Sequence, residues 1–290
     1  MVSHKYRLPS DLYAYQRERM APVSRQPVKT GYLRVRWRPL LVIDLDKIPN
    51  VTLPPEEEEW LTGFTEGDGW VASGPSICYE QKDPRILGHI RSLLSPWSEG
   101  SLFPTYWGGW RLAYASKYLF AGLALLLSKH TVTTTWSALL GVKKHTPTLP
   151  WIAGFWDAEG WSGTVTGTGL RKNLTVSVSQ DDREGLSDIR ASIETGSIQL
   201  DHLAGKQRHF ERNTYTLTTD GHRLVISAAP DSLLVKSLLQ YSHHEPKKQE
   251  LLSHIKLVKE WPDVLTVVRE LAKQRRQSAK EGGDANDISL

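Results

Sequence analysis

The sequence predicts an α+β fold made of two similar halves, each ordered α-β-β-α-β-β-α. Three observations carry this. An eleven-residue segment occurs twice, a second set of residues downstream of it also repeats, and the apolar period around both switches between that of a helix and that of a strand. Residues 60–70 read WLTGFTEGDGW and residues 151–161 read WIAGFWDAEGW. Trp60/Trp151, Gly63/Gly154, Phe64/Phe155, Gly69/Gly160 and Trp70/Trp161 are identical, and Leu61/Ile152, Glu66/Asp157 and Asp68/Glu159 keep their chemical type. Downstream, Gln81, Asp83, Leu87 and Ile90 match Gln180, Asp182, Leu186 and Ile189 at the same mutual spacing. Eight more residues separate motif from glutamine in the second copy. The pattern is that of a duplicated half-domain.

The elements follow in order. Pro54-Pro55 and Glu56–Glu59 read as a helix start, with proline at the entry and carboxylates in the first turn. Pro150 opens the second motif in the same way, and Gly69 and Gly160 act as stops. Strands are predicted at Trp70–Ala72 and Ile77–Gln81, and in the second half at Ser162–Thr168 and Leu174–Ser179. Apolar residues every three or four positions predict helices over Pro84–Leu94 and Glu184–Glu194. Strands follow at Leu102–Tyr106 with Trp110–Ala115, and at Ile198–Leu203 with Thr214–Thr219. Closing helices fall at Lys117–Ser128 and Ser232–Tyr241. The expected organisation is a basic extension (1–55), a first repeat (56–142), a linker (143–149), a second repeat (150–262), and a helix end and tail (263–290) that looks disordered from Gly282.

With 290 residues there is enough chain to bury a core, and 39% hydrophobic with 23% charged residues excludes a disordered or membrane protein. The longest apolar run, Tyr118–Leu127, is too short to span a bilayer, and no secretory signal is apparent. The single cysteine, Cys78, excludes a disulfide framework and a Cys-rich zinc site, which fits a reducing compartment. Net charge is +4. Residues 1–38 hold nine basic side chains against Asp11 and Glu18, a lean toward an anionic partner.

The motif has a physical reading. Gly63 and Gly67 share one helix face, as do Gly154 and Ala158, and small residues at that spacing let two backbones approach closely. If the motif helices pack together, Asp68 and Glu159 emerge side by side at their negative ends. That arrangement is unfavourable unless cations occupy it, and paired carboxylates holding divalent metal suit phosphodiester hydrolysis. The glutamate run reads as a solvated helix start. His243, His244, His202 and His209 read as ordinary surface or core histidines, and Leu119–Leu127 as core.

Leu61–Gly69 and Ile152–Gly160 resemble the two signature motifs of the double-motif LAGLIDADG homing endonucleases, and the resemblance extends from about Glu56 to Trp261. It implies two αββαββα half-domains about a pseudo-twofold axis, with saddle-shaped antiparallel sheets on DNA. It implies a monomer that cuts both strands of a long, non-palindromic target in double-stranded DNA, the intronless allele of a group I intron, with Mg²⁺ or Mn²⁺. By the same resemblance Asp68 and Glu159 bind metal, assisted by the carbonyls of Gly67 and Ala158. Gln81 and Gln180 order active-site water, and Lys117 is the basic residue before the closing helix, with Arg223 the nearest candidate in the second half.

The sequence departs from the family pattern at Glu66, where aspartate is usual, and at Glu159, whose longer side chain shifts the metal. Twelve residues separate Asp68 from Gln81, turning through Ser73-Gly-Pro75, against twenty between Glu159 and Gln180 that include Arg171-Lys172-Asn173. At about 3.3 Å per residue the second hairpin is expected to reach roughly 13 Å further. Arg34-Val-Arg36-Trp-Arg38 alternates as a strand laid on phosphates could. An RNA maturase binding its intron RNA shares the fold, as does a non-catalytic DNA-binding relative; the presence of both acids favours cleavage. Met1-Val2 and Ser289-Leu290 lack the termini of an intein. Four asparagines and eleven tryptophans favour a bacterial cytoplasm over a mitochondrion or chloroplast as the intracellular location.

Overall fold

The structure, a computed structural model, describes residues 32–35, 41–72, 75–106, 108–166, 172–210, 213–217, 219–260 and 270–274. Lys29, Arg36, Arg38, Ser73, Gly74, Arg171 and the tail from Gly282 lie outside the described residues. The chain is α+β. A short antiparallel hairpin, β1 (Tyr32–Val35) and β2 (Leu41–Asp44), leads into helix α1 (Pro55–Asp68). Strands β3 (Gly69–Val71) and β4 (Ile77–Gln81), helix α2 (Pro84–Leu94), strands β5 (Ser101–Pro104) and β6 (Trp110–Tyr114), and helix α3 (Lys117–Leu127) complete the first set. After the short helix α4 (Thr134–Leu140) the order repeats with α5 (Leu149–Glu159), β7 (Gly160–Thr166), β8 (Lys172–Gln180) and α6 (Arg183–Ile193). It continues through β9 (Ser197–His202), the small hairpin β10 (Gln207–Phe210) and β11 (Asn213–Thr216), β12 (Gly221–Ala228), α7 (Leu233–Tyr241) and α8 (Glu245–Glu260).

Two four-stranded antiparallel sheets result, ordered β3-β4-β6-β5 and β7-β8-β12-β9. The orders correspond strand for strand. One expectation is corrected here: Thr214–Thr219 is not the strand that matches Trp110–Tyr114. Among the described residues Asn213–Thr216 pairs only with β10, and β12 takes the inner place between β8 and β9. The apolar side chains of β12, Leu224 and Ile226, are buried under the helices, whereas residues 213–219 (NTYTLTT) carry only Tyr215 and Leu217 among hydroxyl and amide side chains.

The repeated aspartates explain the helix starts. Asp83 accepts from the backbone N–H of Arg85 at 3.0 Å, and Asp182 from that of Gly185 at 3.1 Å, so both cap the helix after the second strand. Ser116 and Ser232 cap α3 and α7 alike. Gly69 and Gly160 end the motif helices, but not in the left-handed conformation that usually favours glycine there. Both are extended, with φ −77° and −83°. What excludes a side chain is the preceding turn: a Cβ on Gly69 would lie 2.5 Å from the Thr65 carbonyl oxygen, and one on Gly160 2.0 Å from the Trp156 ring.

The core lies where α1 and α5 cross. A Cβ on Gly63 would stand 2.0 Å from the carbonyl oxygen of Trp151, and one on Gly154 would stand 2.0 Å from that of Trp60. The contact is reciprocal, as an approximate twofold axis between the helices requires. Trp60 stacks on Phe64 and Trp151 on Phe155, at centroid distances of 5.4 and 5.0 Å. The Trp60 indole N–H crosses to the Asp157 carboxylate at 3.0 Å. Tyr79 and Tyr114 of the first sheet, and Leu174, Val176, Leu224 and Ile226 of the second, close the core against these helices. Among the described residues no helix is long and apolar enough to cross a membrane.

Candidate active site

The crossing fixes the ends of α1 and α5 side by side. A Cβ on Gly67 would lie 2.4 Å from the Ala158 Cβ and 3.3 Å from the Glu159 Cγ. Asp68 and Glu159, the last residues of the two helices, therefore emerge together at two negative helix ends. Asp68 is buried and Glu159 half-buried.

The glutamines reach this place by register. Gly69 pairs with Tyr79 and Gly160 with Val178, so Gln81 and Gln180 each lie two residues past the partner of the motif glycine. The Gln81 side-chain amide donates to Asp68 Oδ2. Gln180 does otherwise: its Oε1 accepts from the backbone N–H of Asp181 at 2.9 Å. Lys117 is the first residue of α3, half-buried, with its ammonium 5.0 Å from the Tyr118 ring centroid. In the second half the corresponding first residue of α7 is Leu233, which is exposed. Arg223 lies within β12, paired with Asp201 at 2.7 Å and bonded to Ser179 at 3.2 Å, and not at a helix start.

A cation that sequence reasoning missed stands at the end of α5. Lys247 Nζ donates to the carbonyl oxygens of Asp157 at 2.6 Å, Trp156 at 3.0 Å and Ala158 at 3.3 Å. An ammonium at a helix C-terminus is stabilising, because it meets the negative end of the helix and the last carbonyls there, of which that of Trp156 also accepts the Gly160 N–H. Burial lowers the Lys247 pKa, while the charges of Asp157, Asp68 and Glu159 oppose that shift. No local sequence signal marks Lys247, since the carbonyls it holds lie some ninety residues earlier in the chain.

The remaining motif acids serve the fold. Glu66 accepts from the backbone N–H groups of Val132 at 2.9 Å and Thr133 at 2.6 Å, in the turn between α3 and α4. Asp157 accepts from Ser242 Oγ at 2.5 Å and the His243 N–H at 2.7 Å, in the turn between α7 and α8. The two acids thus do the same work in the two halves. Burial pushes the Glu66 carboxyl up to about 7 against those hydrogen bonds, and burial also raises Asp157. A folded-state value above the ordinary 4.5 means that the native chain keeps a proton the unfolded chain has lost. The Glu66 contribution to stability is therefore greatest below about pH 4.5 and falls as pH rises toward 7. Denaturant unfolding of the wild type and Glu66→Gln, without divalent metal, is expected to show the wild type losing stability relative to the variant across that window. A constant difference would contradict the assignment.

The glutamate run is less solvated than the sequence suggests. Glu56 is exposed, but Glu57 faces His89 and His243, Glu58 accepts from the Leu53 N–H and meets Lys129 and His130, and Glu59 accepts from the Thr148 hydroxyl at 2.6 Å.

As a donor set, two carboxylates with the carbonyls ending α1 are all hard oxygen, which suits Mg²⁺ or Mn²⁺. On the α5 side the Ala158 carbonyl already carries the Lys247 ammonium. The arrangement fits a cation shared by Asp68 and Glu159, with the Gln81 amide fixing one carboxylate.

No family model matches the chain, and no curated protein matches it. Among solved structures the chain is similar to I-SmaMI bound to uncleaved DNA target in the presence of calcium ions, at 13% identity and TM-score 0.46, over 76% of this chain and 98% of that one. It is similar to the I-SmaMI LAGLIDADG homing endonuclease bound to cleaved DNA, at 13% identity and TM-score 0.47, over 83% and 99%. It is also similar to LAGLIDADG homing endonuclease I-GzeII in complex with DNA target, at 13% identity and TM-score 0.44, over 70% and 90%.

Proposed function

We propose that the chain is a site-specific homing endonuclease that makes metal-dependent double-strand breaks in a long, non-palindromic DNA target, acting as a monomer. The observation that carries this is the emergence of Asp68 and Glu159 together from two helices in backbone contact. Each half brings one acid, and each sheet begins directly from its motif helix. Asp68 and Glu159 would hold the divalent ion, whose chemistry is to lower the pKa of bound water and to offset charge developing on phosphate. Gln81 orients Asp68, and Lys247 offsets the negative end of α5, which otherwise adds to the repulsion of the two carboxylates.

The open faces of the two sheets differ in composition. On the second sheet Trp161, Val165, Asn173, Ser179 and Arg223 line the face away from the helices, by the alternation of the strands. On the first, Arg111 is paired with Glu80 at 2.8 Å and lies over Trp70, as Arg223 on the second is paired with Asp201 at 2.7 Å. The hairpins differ as well. β3 and β4 pair from Gly69↔Tyr79 to Val71↔Ile77, whereas β7 and β8 pair from Gly160↔Val178 to Thr166↔Lys172. Four more residues per strand give about 13 Å of extra reach, close to four base pairs.

The test is cleavage of a randomised DNA library by the full chain with Mg²⁺ or Mn²⁺, and sequencing of the cut ends. The expected product is a double-strand break in a long asymmetric site whose outer positions are more tolerant on the side of the shorter hairpin. Equal stringency on both sides would remove the hairpin argument. No cutting with either metal, together with tight binding to intron RNA, would replace the nuclease reading with the maturase.

A further inference from the structure

At the opposite end of α1 from Asp68, about 16 Å away along the helix axis at 1.5 Å per residue, three metal-ligating side chains converge. They are Glu57 in the first turn of α1, His89 in the middle of α2, and His243 in the turn between α7 and α8. Among the described residues they form the one group of three such side chains whose ligand atoms all lie within 4.8 Å of one another. His89 Nε2 is 3.3 Å from Glu57 Oε2, and His243 Nε2 is 3.2 Å from Glu57 Oε1. Both imidazoles thus present the same nitrogen to one carboxylate.

The rings are held, not loose. They stack on each other with centroids 3.9 Å apart and planes 27° from parallel. Both stand edge-on to the Trp60 indole, at 5.2 and 4.7 Å. Trp60 is itself fixed by its bond to Asp157, and the same carboxylate accepts from the His243 backbone N–H. The three side chains remain 23–30% exposed, so an ion has access from solvent.

We propose that Glu57, His89 and His243 are a zinc site that joins the two halves of the chain. With ligand bonds of about 2.0–2.1 Å, a tetrahedral zinc ion sets its ligand atoms about 3.3 Å apart, close to the distances of His89 Nε2 from Glu57 Oε2 and of His243 Nε2 from Glu57 Oε1. Two imidazoles and one carboxylate are a donor set for zinc, unlike the all-oxygen set at Asp68 and Glu159. Solvent would complete the coordination. Glu57 and His89 belong to the first half and His243 to the second, so the ion would tie α1 and α2 to the turn between α7 and α8.

The experiment is calorimetric titration of ZnCl₂ into metal-free full-length protein with Mg²⁺ in excess, which keeps oxygen-only sites filled. One zinc ion per chain is expected, with affinity weakened at least about 100-fold in Glu57→Gln, His89→Gln or His243→Gln, since each removes a ligand. Co²⁺ in place of zinc should give the intense visible bands of a four-coordinate ion, and zinc should raise the midpoint of thermal unfolding. These two readouts use the wild type and decide the matter even if a variant fails to fold. Absence of zinc binding by the wild type, binding unchanged in a folded His89→Gln/His243→Gln variant, or the pale spectrum of six-coordinate Co²⁺ would overturn the assignment.

Discussion

Asp68→Asn and Glu159→Gln are each expected to lower double-strand cleavage by at least about 10³-fold, while DNA affinity measured in Ca²⁺ stays within about threefold of wild type. A factor of 10³ corresponds to about 4 kcal/mol of lost transition-state stabilisation, in line with removing one preorganised electrostatic partner of the reacting phosphate. Affinity depends mainly on contacts to the phosphate backbone and grooves, which neither acid makes directly. The neighbouring acids should behave in the opposite way. Asp157→Asn leaves the carboxylates at the helix ends untouched but weakens a buried acceptor of Ser242, His243 and Trp60, so its effect belongs in stability. Cleavage rates under single-turnover conditions, set beside gel shifts and unfolding midpoints, separate the two pairs. Loss of folding in Asp68→Asn, or full cleavage by it, would remove Asp68 from the active site.

Gly154→Ala should be among the most damaging single-methyl additions in the chain. Its Cβ would fall 2.0 Å from the Trp60 carbonyl oxygen, and that oxygen sits on a helix backbone that cannot turn aside. Overpacking of this kind costs about 3 kcal/mol or more, well beyond the roughly 1 kcal/mol that alanine gains over glycine inside a helix. Gly63→Ala meets Trp151 in the same way. Gly88, in the middle of α2, is the control: nothing lies within 4 Å of its Cβ position, so Gly88→Ala should stabilise by about 0.5–1 kcal/mol. Urea unfolding of the three variants checks this. A Gly154→Ala protein as stable as wild type would show that α1 and α5 cross at a greater distance.

What the sequence made legible was whatever it repeated. The duplicated Trp-x-x-Gly-Phe motif pointed to two helices in close contact, and the duplicated Gln-x-Asp pointed to Gln81 beside Asp68 and to an aspartate at each helix start, while Gln180 turns to the Asp181 N–H. Elements with no counterpart in the other half were harder. The strand expected at Thr214–Thr219 alternates well enough to look like a sheet member, but only Gly221–Ala228 carries the apolar face that the helices require. Lys247, His89 and His243 could not be found from local pattern at all. Their partners are set by where the chain returns after α7, and Asp157 fixes that return by holding Ser242 and His243.

The interlocked glycines also bear on how such a protein could be redesigned. On the proposed reading, the spacing between the two cut phosphates is set where the Trp60 and Trp151 carbonyls occupy each other's glycine notches, far from any base-reading strand. Exchanging the β3-β4 or β7-β8 hairpin for another sequence would therefore retarget the break while leaving the overhang on the DNA ends unchanged. Joining halves from two different chains would succeed only where each supplies the small residue that the other's backbone needs.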